Sequence, residues 1–165
     1  MQSIEEVTQS LVQDQPVRII LAGPAGIGKT YLASKMVKLN TQIKHVEHDK
    51  LNKTFECSIR DFDLEKCFGP EISNVDSFVI DVGGGHIFRK KANNNLNLKS
   101  IIDFKLRHNI KIILLHASRD VIKARYFKHP DSHSDGFDLD WETWFEVGLP
   151  NWKQCSDHEF DVSLS

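Results

Sequence analysis

Apolar positions along the chain change period several times, and each change marks an element. Ser3 and Glu6 stand at capping-box spacing, and Ile4, Val7, Leu11 and Val12 then recur on one helical face. This predicts a short helix over residues 3–14, ended by Pro16. Val17-Arg18-Ile19-Ile20-Leu21-Ala22 is a compact β-branched run, as expected of a parallel strand covered on both faces. A glycine-rich turn follows, and 29–39 reads as a helix with Leu32, Met36 and Leu39 pointing inward. A weaker strand is predicted over 43–47, and a polar, aromatic stretch with one or two short helices over 49–72. Residues 77–82 form a third strand, stopped by Gly83-Gly84-Gly85. Residues 93–97 read as an exposed loop before a helix ending near His108, followed by a fourth strand over 110–115. Ser118 caps a helix through Arg125, and 129–140, rich in His, Asp, Ser and Gly, has no apolar period and reads as a mobile loop. Trp141, Trp144 and Phe145 then resume an amphipathic helix as core residues, and 159–162 is a short last strand.

Strands alternating with helical stretches define a doubly wound α/β sheet. Its ligands bind beyond the carboxyl ends of the strands. The turn after the first strand, Asp49 after the second and Gly83 to Gly85 after the third are therefore expected to meet in one crevice. With 165 residues the chain is long enough for one core, and no internal repeat or second domain is visible. A net charge of −2 gives no global attraction for nucleic acid or anionic membranes, and no apolar run approaches the ~20 residues that span a bilayer. The polar, acidic N-terminus lacks the basic and apolar regions of a secretory signal. Three widely spaced cysteines, Cys57, Cys67 and Cys155, form no framework, so reduced thiols in a cytoplasmic protein are expected.

Gly23-Pro24-Ala25-Gly26-Ile27-Gly28-Lys29-Thr30 matches GxxxxGK[ST] between a strand and a helix. The glycines let consecutive N–H groups face inward as an anion nest, and the following helix adds its positive end. Lys29 can reach the β- and γ-phosphates of ATP or another NTP, and the Thr30 hydroxyl can ligate Mg²⁺. Asp81 ends an apolar strand, where a carboxylate holds that metal directly or through water. His129, Asp131, His133 and Asp135 alternate, yet Pro130 and Gly136 deny them the helix that would align two histidines on one metal.

Together these pieces resemble the shikimate kinase-like branch of small-molecule P-loop kinases, within the nucleoside monophosphate kinase fold. The matching landmarks span 17–162: the phosphate loop, Asp49 twenty positions after Lys29, the triple glycine 83–85, Leu115-His116-Ala117-Ser118 continuing to Arg125, and Leu149-Pro150-Asn151-Trp152 followed by Cys155-Ser156-Asp157. The resemblance implies a three-layer P-loop NTPase domain over 1–165, with five parallel strands in order 2-3-1-4-5. A substrate flap is implied near 50–72 and a lid near 128–140. It also implies that Asp49 and Arg60 bind the acceptor, that Gly83, Gly84 and Gly85 approach it through their backbone, and that Arg125 lies over the adenine. Two arginine positions of the pattern are filled otherwise: none occurs in 126–141, and Val147-Gly148 stand before Pro150. The expected acceptor is thus a hydroxylated or carboxylated metabolite, or a nucleotide, other than shikimate.

The expected function is ATP-dependent transfer of a γ-phosphoryl group to a small metabolite by a monomer. An NTPase switch, or a kinase fold that binds nucleotide without transfer, are the alternatives. No Asn-Lys-x-Asp motif marks a GTPase, since Asn52-Lys53-Thr54-Phe55 lacks the final acid.

Overall fold

The structure, a computed structural model, describes residues 3–51, 63–82, 87–128 and 141–163. Arg60, Gly83, Gly84, Gly85 and the stretch 129–140 lie outside these residues, as do the side chains of Tyr126, Phe127 and Trp141.

Five parallel strands form the sheet in the order β2-β3-β1-β4-β5, as the resemblance implied. They are β1 (Arg18–Ala22), β2 (Lys44–Glu47), β3 (Phe78–Asp81), β4 (Lys111–His116) and β5 (His158–Asp161). Around them run α1 (Ile4–Gln13), α2 (Lys29–Leu39), the single turn α3 (His48–Leu51), α4 (Leu64–Ile72), α5 (Asn94–His108) and α6 (Arg119–Lys128). A last helical stretch comprises α7 (Trp141–Thr143), a π-helical turn (Trp144–Gly148) and α8 (Leu149–Cys155).

The central strands are apolar on both faces because both are covered. Ile19, Ile20, Leu21 and Ala22 of β1 and Ile112, Ile113 and Leu114 of β4 are all 0–1% exposed. The edge strands are more open: β2 buries only Val46, and β5 alternates half-buried and exposed positions. Helix α2 lies against β1, β2 and β3, and α5 against α4 and α8. Phe68 of α4, Phe104 of α5 and Trp152 of α8 are buried in this shared core. Removing an aromatic ring of this kind costs about 3–5 kcal/mol.

Helix starts follow side-chain chemistry. The Ser3–Glu6 capping box opens α1 as expected, and Asp63 caps α4. Asn93 caps α5 through Leu96 N–H, so the helix begins inside the stretch expected to be a loop. The asparagines that resemble loop composition are cap and first-turn residues. Leu39, expected inside, ends α2 and is 56% exposed. Trp144 is core as expected, at 4% exposed. The cysteine expectation also needs correcting: Cys67 is disulfide-bonded. Sequence spacing carries no information on which sulfurs the fold brings together. Cys155 is a free, buried thiol, pushed up to about 12 by burial.

Among the described residues, no helix is long and apolar enough to cross a membrane.

Candidate functional site

The chain leaves β1 at Ala22 and turns through 23–28 into α2. Gly23 passes so close to β4 that a Cβ there would lie 2.6 Å from the Leu115 carbonyl oxygen and 2.9 Å from Ile27 Cγ2. Gly28 has φ 107°, a conformation L side chains rarely adopt, and it forms the N-cap of α2 without any side-chain cap. Helices α1, α4 and α5 each have one. The first-turn amides of α2 thus remain available to an anion approaching the loop.

Lys29, 7% exposed, curls back so that its Nζ donates to the carbonyls of Gly23 and Pro24, each at 2.9 Å. Burial lowers the pKa of this amine, while the charges of Asp81 and Asp49 oppose that shift. The ammonium sits inside the turn, with two acids offsetting part of its desolvation. On the other side of the loop, Arg125 of α6 donates from Nη1 to the carbonyls of Ile27 (3.1 Å) and Gly26 (3.4 Å). Both cations therefore rest on the loop's own oxygens.

Thr30 donates its hydroxyl hydrogen to Asp81 Oδ2 at 2.5 Å. Asp81 is 7% exposed. Burial alone would raise its pKa, but the contact with His45, the charge of Lys29 and the Thr30 hydroxyl together hold it below the usual carboxylate range. A hydroxyl whose hydrogen is engaged by an ionised acid keeps its oxygen lone pairs for a cation. Thr30 and Asp81 therefore suit Mg²⁺, a hard ion that seeks such oxygens.

Asp81 pairs in register with Glu47 of β2, so two acids stand side by side at the sheet's carboxyl edge. His45 lies between them, with Nε2 3.6 Å from Asp81 Oδ2 and Nδ1 3.8 Å from Glu47 Oε1. These are ion-pair distances, longer than hydrogen bonds. Lys50 closes on Glu47 from solvent at 3.0 Å. Asp49 is exposed in the single turn α3 directly after β2, where its charge reaches Lys29.

The structure thus brings together Gly23 to Thr30, Asp81, Asp49 and Arg125. Sequence reasoning missed His45 and Glu47. The strand-end rule that singled out Asp81 applies equally to Glu47 at the end of β2, and the two-residue period puts His45 on the same face. Of the expected flap, 64–72 is the core-packed helix α4. Of the two residues that stand where the pattern has an arginine, Gly148 is tightly enclosed: a Cβ there would lie 2.7 Å from the buried Trp144 ring, so no side chain fits without moving it.

No protein-family model matches the sequence, and no curated protein is significantly similar to it. Solved structures of small-molecule P-loop kinases share its fold. A shikimate kinase from Acinetobacter baumannii, solved with shikimate, aligns with TM-score 0.60 at 14% identity, covering 95% of this chain and 89% of its own. A shikimate kinase from Bacteroides thetaiotaomicron aligns with TM-score 0.55 at 19% identity, over 90% of this chain and 88% of its own. A putative fructose transport system kinase from Silicibacter sp. TM1040 aligns with TM-score 0.54 at 13% identity, over 97% of this chain and the whole of its own.

Proposed function

We propose that this protein is an ATP-dependent small-molecule kinase that phosphorylates a hydroxyl or phosphate of a metabolite other than shikimate. The observation that carries the reading is the conjunction at one strand edge of an uncapped α2 N-terminus, the buried ammonium of Lys29 and the Thr30–Asp81 pair. Each part suits one feature of a nucleotide tail. Within the loop Gly23 to Gly28, the N–H groups of Ala25, Gly26, Ile27 and Gly28 bind phosphate oxygens, and Pro24, which has no N–H, shapes the turn. Lys29 leaves the Gly23 and Pro24 carbonyls for the β- and γ-phosphates, which replace two neutral acceptors with anionic ones. Thr30 and Asp81 would hold Mg²⁺, which would supply charge neutralisation for the developing phosphate oxygens. Arg125, released from Gly26 and Ile27, stacks on the adenine face.

In the reaction, the acceptor oxygen bonds to the γ-phosphorus as the bond to the bridging oxygen breaks, and ADP leaves. For a hydroxyl acceptor, Asp49 accepts the hydrogen bond and then the proton. Arg60 pairs with an acidic group of the acceptor, and Gly83 to Gly85 approach it through their backbone. One domain formed by 1–165 belongs to the same reading, with a lid near 128–140 and a flap confined to 50–63, since 64–72 is packed into the core as α4. Since 126–141 contains no arginine, Lys29 is the cation of this chain that meets charge on the moving phosphoryl group in this reading. A monomeric, cytoplasmic protein belongs to the same reading; the Cys67 disulfide is the feature that weighs against the compartment.

ADP release from Mg·ATP, measured with and without a panel of hydroxylated, carboxylated and nucleotide acceptors, tests the proposal. Acceptor-dependent release is the expected result. Hydrolysis that responds only to a protein partner would make the chain a switch, and binding without turnover a nucleotide-binding relative of the kinases.

A further inference from the structure

We propose that His45 is a positioning residue whose imidazole, set between Glu47 and Asp81, keeps the Asp81 carboxylate turned toward the Thr30 hydroxyl. The inference deepens the proposed function, because it concerns the acid read there as holding Mg²⁺. The brace itself is a property of the strand edge.

Glu47 and Asp81 occupy facing positions on β2 and β3, and His45 lies two residues before Glu47, on the same side of the sheet. Like charges placed opposite one another on neighbouring strands repel. The imidazole meets both acids, at 3.8 Å and 3.6 Å, and only 16% of its side chain is exposed. Its Nε2 is closed off from solvent with no hydrogen bond inside normal range, and Asp81 Oδ2 is the acceptor toward which it is directed. A polar nitrogen kept from water is costly unless it finds a partner. The other groups around the pair act from different sides: Lys50 on Glu47, and Lys29 and Thr30 on Asp81. Without His45, no side chain among the described residues would stand between Glu47 and Asp81 to fix which way the Asp81 carboxylate turns. Partners that orient a ligating carboxylate affect metal affinity without touching the metal. A ring acting only as apolar filler would be served as well by phenylalanine.

Three substitutions separate these roles. His45→Phe keeps the ring and removes both nitrogens, His45→Gln keeps an amide N–H near the Nε2 position, and His45→Asn keeps one near Nδ1. Crystal structures without nucleotide should show the Asp81–Thr30 contact broken in His45→Phe and kept in His45→Gln. Calorimetry should show the Mg²⁺ requirement of ATP binding raised about tenfold in His45→Phe. ATP affinity without Mg²⁺ should be unchanged in that variant, with recovery in His45→Gln and not in His45→Asn. His45→Leu makes the same deletion if the phenylalanine variant does not fold. The proposal is overturned if the Asp81–Thr30 contact survives in His45→Phe, or if the glutamine and phenylalanine variants behave alike. Failure of the wild-type protein to bind ATP would instead remove the proposed function, and the crystal structures alone would then decide whether His45 braces Asp81.

Discussion

The carboxyl edge of the sheet has two halves built on different principles. The phosphate loop is one contiguous segment, 23–30, shaped by glycine backbone freedom and by the helix that follows. The acid edge is assembled from His45 and Glu47 on β2 and Asp81 on β3, which only strand pairing brings together. Lys29 and Thr30 connect the halves, one through its charge and the other through its hydroxyl. The loop is thus a local structure whose parts hold each other. The acid edge depends on register, because a one-residue slip of β2 would turn Glu47 and His45 to the other face.

The largest effect should come from the residue at the junction. Lys29→Met is expected to lower nucleotide-dependent turnover by about 10²–10³-fold or more. Its melting temperature should fall, since methionine leaves the buried Asp81 carboxylate without a charge that favours its ionised form and the Gly23 and Pro24 carbonyls without their donor. An unchanged or raised melting temperature would show that the desolvation of the amine outweighs both. Asp81→Asn is expected next, raising the Mg²⁺ concentration needed for half-maximal turnover by about 10–100-fold, as titration of the metal would record.

Acid separates the halves as well. The folded-state pKa of Asp81 lies below its unfolded value, so its ionised form contributes stability at neutral pH. That contribution is fully present above about pH 4 and is lost as pH falls through the folded pKa. Denaturant melts should therefore show the gap between wild type and Asp81→Asn constant near neutrality and shrinking in acid. Within the loop, Gly23→Ala forces a methyl group against β4 backbone and should destabilise by about 1–3 kcal/mol. Gly28→Ala meets no atom and should cost about 1–2 kcal/mol through its backbone angle alone. The smallest change belongs to Lys50→Ala, which removes an exposed pair with Glu47 and should alter stability by less than about 1 kcal/mol. A larger loss would mean that Glu47 is fixed from solvent and not by His45.

How legible each part was follows the same division. The strands of 77–82 and 110–115, the helix over 29–39 and the phosphate loop were readable because each is encoded within a few consecutive residues. The start of α5 was misread because asparagine serves loops and caps alike, and only the Asn93–Leu96 hydrogen bond distinguishes them. Leu39 fitted the helical period, yet the end of α2 overhangs the core. Glu47 and His45 passed unnoticed because neither belongs to a motif and their partner lies in another strand.

From the sequence alone came the α/β alternation and the loop that takes its shape from Gly23 and Gly28, since dihedral preferences and hydrophobic period act over short stretches of chain. Tertiary structure alone decided that Asp81 would share its edge with Glu47 and His45, that Arg125 would lie on the loop carbonyls, and that Trp144 would close position 148 to any side chain. Those are contacts between residues distant in the chain or fixed by packing. Their energies depend on distances that exist only once the sheet has formed.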